Sequence, residues 1–358
     1  MTCFIPSAGR TRIVADELHT IEWTGTGIRL IDQTQLPAAL AYLDVETVDG
    51  LVDAIVRLAV RGAPALGVAG ALGVGLAMDQ ARREEWSAAR LQEQIDRIRD
   101  ARPTAVNLAW GVAQVRDLMP LGVGAVLERA NELIAEDERT NHAIGAHGAD
   151  WILAAVARRP VRVLTHCNTG LLATTAWGTA LGIVRELHAR GVLERVYVDE
   201  TRPLLQGSRL TAWELEQAGI PYVVQVDGAA ASTAARHLVD VAIIGADRIA
   251  ANGDTANKIG SLGVALACAH AGIPFVVAAP QSTVDPETPS GDAIDIEYRH
   301  PGEVTRWAGL PVTPAGADGH NPAFDVTPGR LVSALVTEHG VAEVSNGQLP
   351  EDLVGAAA

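Results

Sequence analysis

The sequence predicts an α/β fold, in which a Rossmann-like parallel sheet forms the C-terminal domain behind a smaller, mainly helical N-terminal domain. Two observations carry this expectation. From residue 161 onward, short apolar β-branched runs recur at 161–165, 195–198, 222–226, 241–244 and 275–278. Helical stretches at 174–190, 210–218, 230–237 and 259–271 separate them, as in βαβ units whose sheet is covered on both faces. Ahead of them, apolar residues fall instead at helical spacing. A length of 358 residues corresponds to about two domains at ~100–200 residues each, and we place the division as 1–130 and 131–358.

The N-terminal elements follow in order. Residues 47–61 carry Val48, Leu51, Val52, Ile55, Leu58 and Ala59, the spacing of one buried helix face. Thr47 is positioned to cap that helix, and Arg61-Gly62-Ala63-Pro64 breaks it. Residues 65–78 read as a helix of small residues. Gly67, Gly70, Gly73 and Gly75 in it do not form GxGxxG and follow no strand, so they read as close-packing positions. Further helices are expected at 86–100, 104–119 and 122–147, the last running on toward 157 as a bridge between domains. A Pro- and Gly-rich stretch at 280–319 is too long for an ordinary loop. Its short extended pieces at 293–297 and 310–313 either finish the sheet or cover the site.

Composition narrows the function. An apolar content of 48% excludes a disordered chain. A net charge of −15 argues against nucleic acid or an anionic membrane as partner, so any bound phosphate needs a local cluster of donors. Cys3, Cys167 and Cys268 are too few and too scattered for a disulfide framework or a zinc site. Arg10, Arg12, Asp16 and Glu17 leave no apolar leader segment, and the most apolar run, 66–78, is too short and Gly-rich to span a bilayer. A cytoplasmic protein is therefore expected. Of 28 basic residues, Lys258 alone is lysine. Either it survives by chance, or a compact ammonium is needed there that a planar guanidinium cannot imitate.

Ligands of open parallel sheets bind at the carboxyl ends of the strands, where chain order reverses. The residues after the predicted strands are His166-Cys167-Asn168-Thr169-Gly170, then Asp199-Glu200-Thr201-Arg202-Pro203, Asp227-Gly228, Gly245-Ala246-Asp247-Arg248 and Ala279-Pro280. Cys167 falls between a strand and a helix, where a helix N-terminus is expected to lower its thiol pKa. Its structural alternative is a small buried hydrophobe, which is how Cys268 reads in its alanine-rich helix. Asp247 is either salt-bridged and structural, or held protonated by apolar surroundings as a general acid. Asn257-Lys258 is expected at the start of the next helix, a setting that suits an anion. GxxxxGKS/T, HExxH and GxSxG are all absent. What remains is metal-free, nucleotide-free chemistry on a small phosphorylated molecule.

Several long segments, in order, carry a resemblance. They are Arg61-Gly62-Ala63-Pro64, Arg102-Pro103-Thr104-Ala105-Val106-Asn107-Leu108, Thr165-His166-Cys167-Asn168-Thr169-Gly170, and Asp199-Glu200-Thr201-Arg202-Pro203 through Gln206-Gly207-Ser208-Arg209. Gly245-Ala246-Asp247-Arg248, Asn252-Gly253-Asp254, Asn257-Lys258-Ile259-Gly260 and Asn321-Pro322-Ala323-Phe324-Asp325 complete the set. With these the chain resembles the 5-methylthioribose-1-phosphate isomerase family over nearly its whole length. The resemblance implies a cofactor-free interconversion of an aldose 1-phosphate and a ketose 1-phosphate in methionine salvage, by a homodimer. By matching position it implies Cys167 and Asp247 as the catalytic pair. It implies Arg61, Gly62, Ala63, Arg102, Gln206, Asn257 and Lys258 as substrate-binding residues, and no metal.

That pair suits the chemistry. The anomeric oxygen of the substrate carries phosphate, so the ring opens only if a proton reaches the ring oxygen while C1 keeps its phosphate. A neutral Asp247 supplies that proton. Cys167 then either relays the C2 hydrogen through an enediol-like intermediate or stabilises a direct hydride shift. Gly228, where Asn or Ser is expected, and Ser261-Leu262-Gly263, where Thr-Tyr is expected after Gly260, bear on the pocket for the 5-substituent. Two rivals keep the fold. One is an isomerase for 5-deoxyribose 1-phosphate or ribose 1,5-bisphosphate, the latter needing extra cationic donors at the C5 end. The other is a non-enzymatic relative, like the regulatory subunits of the nucleotide-exchange factor for initiation factor 2, which need not keep both Cys167 and Asp247.

Overall fold

The computed structural model describes residues 18–102 and 106–357. Cys3, the acidic and basic residues before 18, and Pro103-Thr104-Ala105 lie outside the described residues. The first described elements differ from expectation. They are an antiparallel sheet of β1 (Ile21–Trp23), β2 (Ile28–Ile31) and β3 (Tyr42–Val45). Strands of three and four residues are too short for a period of two to register in sequence, which is why the region reads as mainly helical.

Helices follow as the spacing predicts: α1 (Val48–Val56), α2 (Ala63–Arg83), α3 (Ala88–Arg99), α4 (Val106–Arg116) and α5 (Val123–Ala155). The Thr47 hydroxyl accepts from the Gly50 N–H at 3.2 Å, capping α1. The glycines of α2 act as packing positions. A Cβ on Gly111 of α4 would overlap the Gly67 carbonyl, and one on Gly70 would overlap the Leu108 carbonyl, so α2 and α4 cross backbone against backbone. Gly73 admits Leu51 and Ile98, and Gly75 admits Leu127. Helix α5 spans 33 residues, about 50 Å at 1.5 Å per residue. It places Val126, Ala130 and Leu133 in the core shared with β1, β2 and α1–α4, and Ile144, Ala149 and Ile152 in a second core under the large sheet.

That sheet contains all five expected strands. They are β4 (Val161–Thr165), β5 (Leu193–Asp199), β6 (Tyr222–Gln225), β7 (Val241–Ile244) and, after β8 (Arg248–Ala250) and β9 (Thr255–Lys258), β10 (Phe275–Ala278). Between them run α6 (Ala180–Ala189), α7 (Ala212–Ala218), α8 (Ala230–Ala235) and α9 (Ser261–Ala271). Past β11 (Val284–Asp285), α10 (Gly302–Thr305), β12 (Arg306–Trp307), β13 (Leu310–Pro311) and β14 (Phe324–Thr327), the hairpin β15 (Ala334–Thr337) and β16 (Gly340–Ala342) closes one edge. The spatial order is β6-β5-β4-β7-β10-β15, all parallel, with β16 antiparallel outside. Counted by appearance, this is the 3-2-1-4-5-6 winding, and its reversal lies between β4 and β7.

Two expectations are corrected and one alternative is resolved. The stretch 174–190 is helical only from Ala180, because residues 170–179 form a loop whose single turn, Leu171–Ala173, is pinned by Glu214 of α7 and whose Thr175 is held by Asp137 of α5. The sheet is finished by β15 and β16, which leaves 280–319 the second of its two expected roles: it supplies β11 to a side sheet, α10 and the β12–β13 hairpin, and brings Arg299 to the wall of the cavity. Asn257 and Lys258 lie in β9 of a separate four-stranded sheet, β11-β8-β9-β14, and not at a helix start. Helix α9 begins three residues later, after Gly260. No helix among the described residues is long and apolar enough to cross a membrane.

Candidate active site

Strands β4 and β7 are hydrogen-bonded neighbours with Thr165 opposite Ile243, so the segments leaving their carboxyl ends emerge side by side at the reversal. Cys167 lies on the first and Asp247 on the second. Above them opens a cavity, a concave setting of the kind small-molecule ligands occupy. Its wall includes Arg61, Gly62, Ala63, Arg102, Cys167, Gln206, Asp247, Asn257 and Lys258. Every site residue expected from sequence therefore reaches one place, from six separate stretches of chain.

Cys167 adopts φ +64°, the left-handed region that non-glycine residues rarely occupy. Such a residue costs ~1–3 kcal/mol and needs neighbours that hold it. Here its N–H donates to the Thr201 hydroxyl at 2.8 Å, and its carbonyl accepts from the Thr211 hydroxyl at 2.7 Å. The expected helix N-terminus is missing, since only one 3-10 turn follows and α6 starts at Ala180. Burial accordingly pushes the thiol up; Arg61 and Lys258 draw it back without reversing the shift. Its resting form at neutral pH is the thiol.

Asp247 resolves the alternative left open by sequence. Its neighbour Arg248 turns away to Asp285 at 3.7 Å, and Asp247 forms no salt bridge among the described residues. Burial raises its pKa, against the opposing charges of Lys258, Arg102 and Arg61. The carboxyl is thus biased toward its protonated form, with the Asp247 N–H fixed on the Ala256 carbonyl at 2.9 Å.

The donors form a shell around this pair. The buried Arg61 guanidinium donates to the Gln33 side chain at 3.2 Å, to the Asn168 carbonyl at 2.9 Å and to the Asn168 side-chain oxygen. Asn168 in turn donates to Glu214 at 2.8 Å. That carboxylate also accepts from the Leu171 and Leu172 N–H groups and pairs with Arg185 at 3.3 Å. A Cβ on Gly170 would overlap Glu214, so only glycine lets the loop close over it. Lys258 donates to the Ala323 carbonyl at 2.9 Å, and its ammonium sits 4.3 Å from the centre of the Phe324 ring. The Gln206 side-chain oxygen is buried without a hydrogen-bond partner, an acceptor waiting for a donor.

The helix terminus facing the cavity belongs to α2. Gly62 has φ +96° with its Cα against Ala173, Pro64 lies in the first turn, and no side chain caps the end. Its first N–H groups have no intrahelical partner, and with the helix dipole they make an anion site. Sequence reasoning did not single out Arg299, Phe324, Thr201, Glu214 or Asn168. Asn168 carried a signal, its place after a strand and beside Cys167. Arg299 had none, because it arrives on the irregular stretch that covers the cavity and pairs there with Glu297 and Glu303.

Comparison with known proteins bears on this geometry. Residues 59–344 match the profile of the Initiation factor 2 subunit family. The chain is 46% identical to a methylthioribose-1-phosphate isomerase of Thioalkalivibrio sulfidiphilus, covering 93% of this chain and 96% of that one. It is 48% identical to a 5-deoxyribose 1-phosphate isomerase of Moorella thermoacetica, covering 91% and 94% respectively. It is also 51% identical, over 90% of its length, to a probable bifunctional methylthioribose-1-phosphate isomerase/methylthioribulose-1-phosphate dehydratase of Nocardia farcinica; it spans 58% of that longer protein. Among solved structures, the 5-methylthioribose 1-phosphate isomerase of Pyrococcus horikoshii superposes with a TM-score of 0.85 at 34% identity, covering 97% of this chain and 99% of that one.

Proposed function

The chain belongs to the Initiation factor 2 subunit family, and we infer that it is an aldose–ketose isomerase converting 5-methylthioribose 1-phosphate to 5-methylthioribulose 1-phosphate in methionine salvage. One observation carries this reading. A carboxyl biased toward neutrality and a buried thiol share a single cavity with an uncapped helix N-terminus and the chain's only lysine. A subunit serving assembly alone has no use for such an acid.

The proposed mechanism follows from those groups. The phosphate binds at the N-terminus of α2, with Arg61 and Lys258 as its cations; Asn257 and Gln206 take the sugar hydroxyls. Asp247 gives its proton to the ring oxygen, the C1–O bond to that oxygen breaks, and C1 retains its phosphate. The hydrogen on C2 passes to C1 with its electron pair, reducing C1 and oxidising C2. The C2 hydroxyl then loses its proton to the Asp247 carboxylate, which restores the acid. Of the two routes for the C2 hydrogen, burial favours this shift: a thiol already pushed up is pushed further by a bound dianion, and a thiol is a poor base. Cys167 then lines the path of the hydrogen, its sulfur stabilising the shift, and helps to exclude water.

Leu58 and Leu204 are apolar side chains in the cavity wall, and the 5-substituent is read against them. Arg102 and Arg299 also reach the cavity, but Glu297 and Glu303 neutralise them, which disfavours a second phosphate at C5. We further propose that the enzyme acts as a homodimer in the cytoplasm, without a nucleic-acid partner, and that its two domains divide near residue 130. Turnover of three 1-phosphates bearing methylthio, hydrogen or phosphate at C5 tests the assignment. The methylthio sugar is expected to have the highest kcat/KM, the 5-deoxy sugar next. Cys167→Ser and Asp247→Asn should stay folded and lose turnover, and deuterium placed at C2 should be retained at C1. Near-normal activity in either variant defeats the proposed pair, and washout of the label into water restores the thiolate route.

A further inference from the structure

Beneath the catalytic pair lies a buried imidazole that the mechanism does not use. His166 ends β4 beside Cys167, and its ring is sealed from solvent. Its Nδ1 lies 3.0 Å from the Asp199 carboxylate, and its Nε2 lies 2.8 Å from the Ile259 carbonyl oxygen. The Ile259 carbonyl can only accept, so Nε2 must carry a proton; beside an ionised Asp199, Nδ1 donates as well, and a ring with two N–H groups is an imidazolium. With Asp199 ionised, a neutral ring would leave one buried nitrogen lone pair facing an oxygen lone pair, a costly arrangement away from water.

The second partner matters because of what it carries. Ile259 follows Lys258 directly, and its N–H is fixed on the Ala323 carbonyl at 3.0 Å. The next turn is held by Asp325, whose carboxylate accepts from the Gly260 N–H at 2.8 Å and the Leu262 N–H at 3.0 Å. Gly260 has φ +106°, and a Cβ there would meet the His166 ring at 2.7 Å, so the turn lies flat against the imidazole. Asp199 is itself anchored, accepting from Gln225 at 2.8 Å.

We propose that His166 is a positioning residue that works as an imidazolium, bridging Asp199 and the Ile259 carbonyl so that Lys258 is set at the phosphate. This rests on the reading of Lys258 as a phosphate-binding group. Three carboxylates face the ring: Asp199 from β5, Asp227 from the segment after β6, and Asp325 from β14. Burial alone would push the ring toward neutrality, but the Asp199 hydrogen bond and charge outweigh it, so the shift is upward. As pH rises through that elevated value, the Nε2 proton is lost and the turn is released, weakening phosphate binding before any chemistry begins.

The experiment uses the full-length protein and inorganic phosphate. Nitrogen-15 spectra of the empty protein should show His166 protonated at both ring nitrogens at pH 7.5; a neutral tautomer overturns the proposal. Calorimetric phosphate affinity is then followed against pH for the wild type, Asp199→Asn and His166→Gln. Asp199→Asn keeps an acceptor for Nδ1 but removes the charge, so its affinity should begin to fall about one pH unit earlier than in the wild type. His166→Gln should bind phosphate at least about tenfold more weakly with a flat ratio to the wild type below neutral pH. Unshifted profiles in Asp199→Asn defeat the positioning role. Lys258→Arg, run alongside, separates the premises: if it leaves phosphate affinity intact, the reading of Lys258 fails whatever His166 does.

Discussion

At the scale of single residues, charge type matters as much as charge. Lys258 is the one lysine among 28 basic residues, and its ammonium fits between the Ala323 carbonyl and the Phe324 ring face. A guanidinium is wider, planar and fixed in its donor directions. It can satisfy the carbonyl or face the phosphate, but not both from that backbone position. Lys258→Arg is therefore expected to raise KM by about tenfold or more, with a smaller effect on kcat. Steady-state kinetics with the 1-phosphate sugar measures this, and an unchanged KM shows the lone lysine to be incidental.

At the scale of elements, α5 ties the helical part to the loop over the cavity. Asp137 on α5 accepts from the N–H and the hydroxyl of Thr175, at 2.8 and 2.7 Å, and the adjacent Thr174 lines the cavity. Burial pushes this carboxyl up to about 6 from an ordinary 3.8. The folded state then holds the proton more tightly than the unfolded chain between those values, so stability falls as pH rises from about 4 to about 6. Asp137→Asn keeps an acceptor for Thr175 and removes the charge. Its stability relative to the wild type should climb across that window, by at most about 3 kcal/mol at ~1.36 kcal/mol per unit, less to the extent that water reaches the group. Urea unfolding at a series of pH values tests this, and a constant difference would sink it.

At the scale of the whole molecule, the site is shared between two cores. Arg61 and the start of α2 come from the helical part; Cys167, Gln206, Asp247 and Lys258 come from the sheet part. A net charge of −15 repels a phosphate dianion at long range, so binding depends on local donors. Inorganic phosphate at ~100 times its Kd should raise the unfolding free energy by about 2.7 kcal/mol. It should move the thermal transitions of both parts together, because it bridges them. Movement of only one transition would place the anion on one side alone.

Much of this was legible from residue order. The five strands between 161 and 278 announced themselves by apolar β-branched runs, and the residues after them carried the chemistry, because a doubly wound sheet always opens at its carboxyl edge. The small-residue face of α2 was readable for a similar reason, since glycines at helical spacing have no other use. Tertiary structure alone decided three things. It set the charge states, because burial pushed the Cys167 thiol up where a helix N-terminus had been expected to lower it, and Arg248 turned away and left Asp247 unpaired. It put Lys258 on a strand of a side sheet and handed the helix-terminus role to α2, a choice made by pairing with β14, where Lys258 lies opposite Phe324. It brought His166, Asp199 and the Ile259 carbonyl together. Local sequence encodes where a chain can bend and which face it buries. Protonation and contact depend on neighbours that arrive from far along the chain, and only packing determines those.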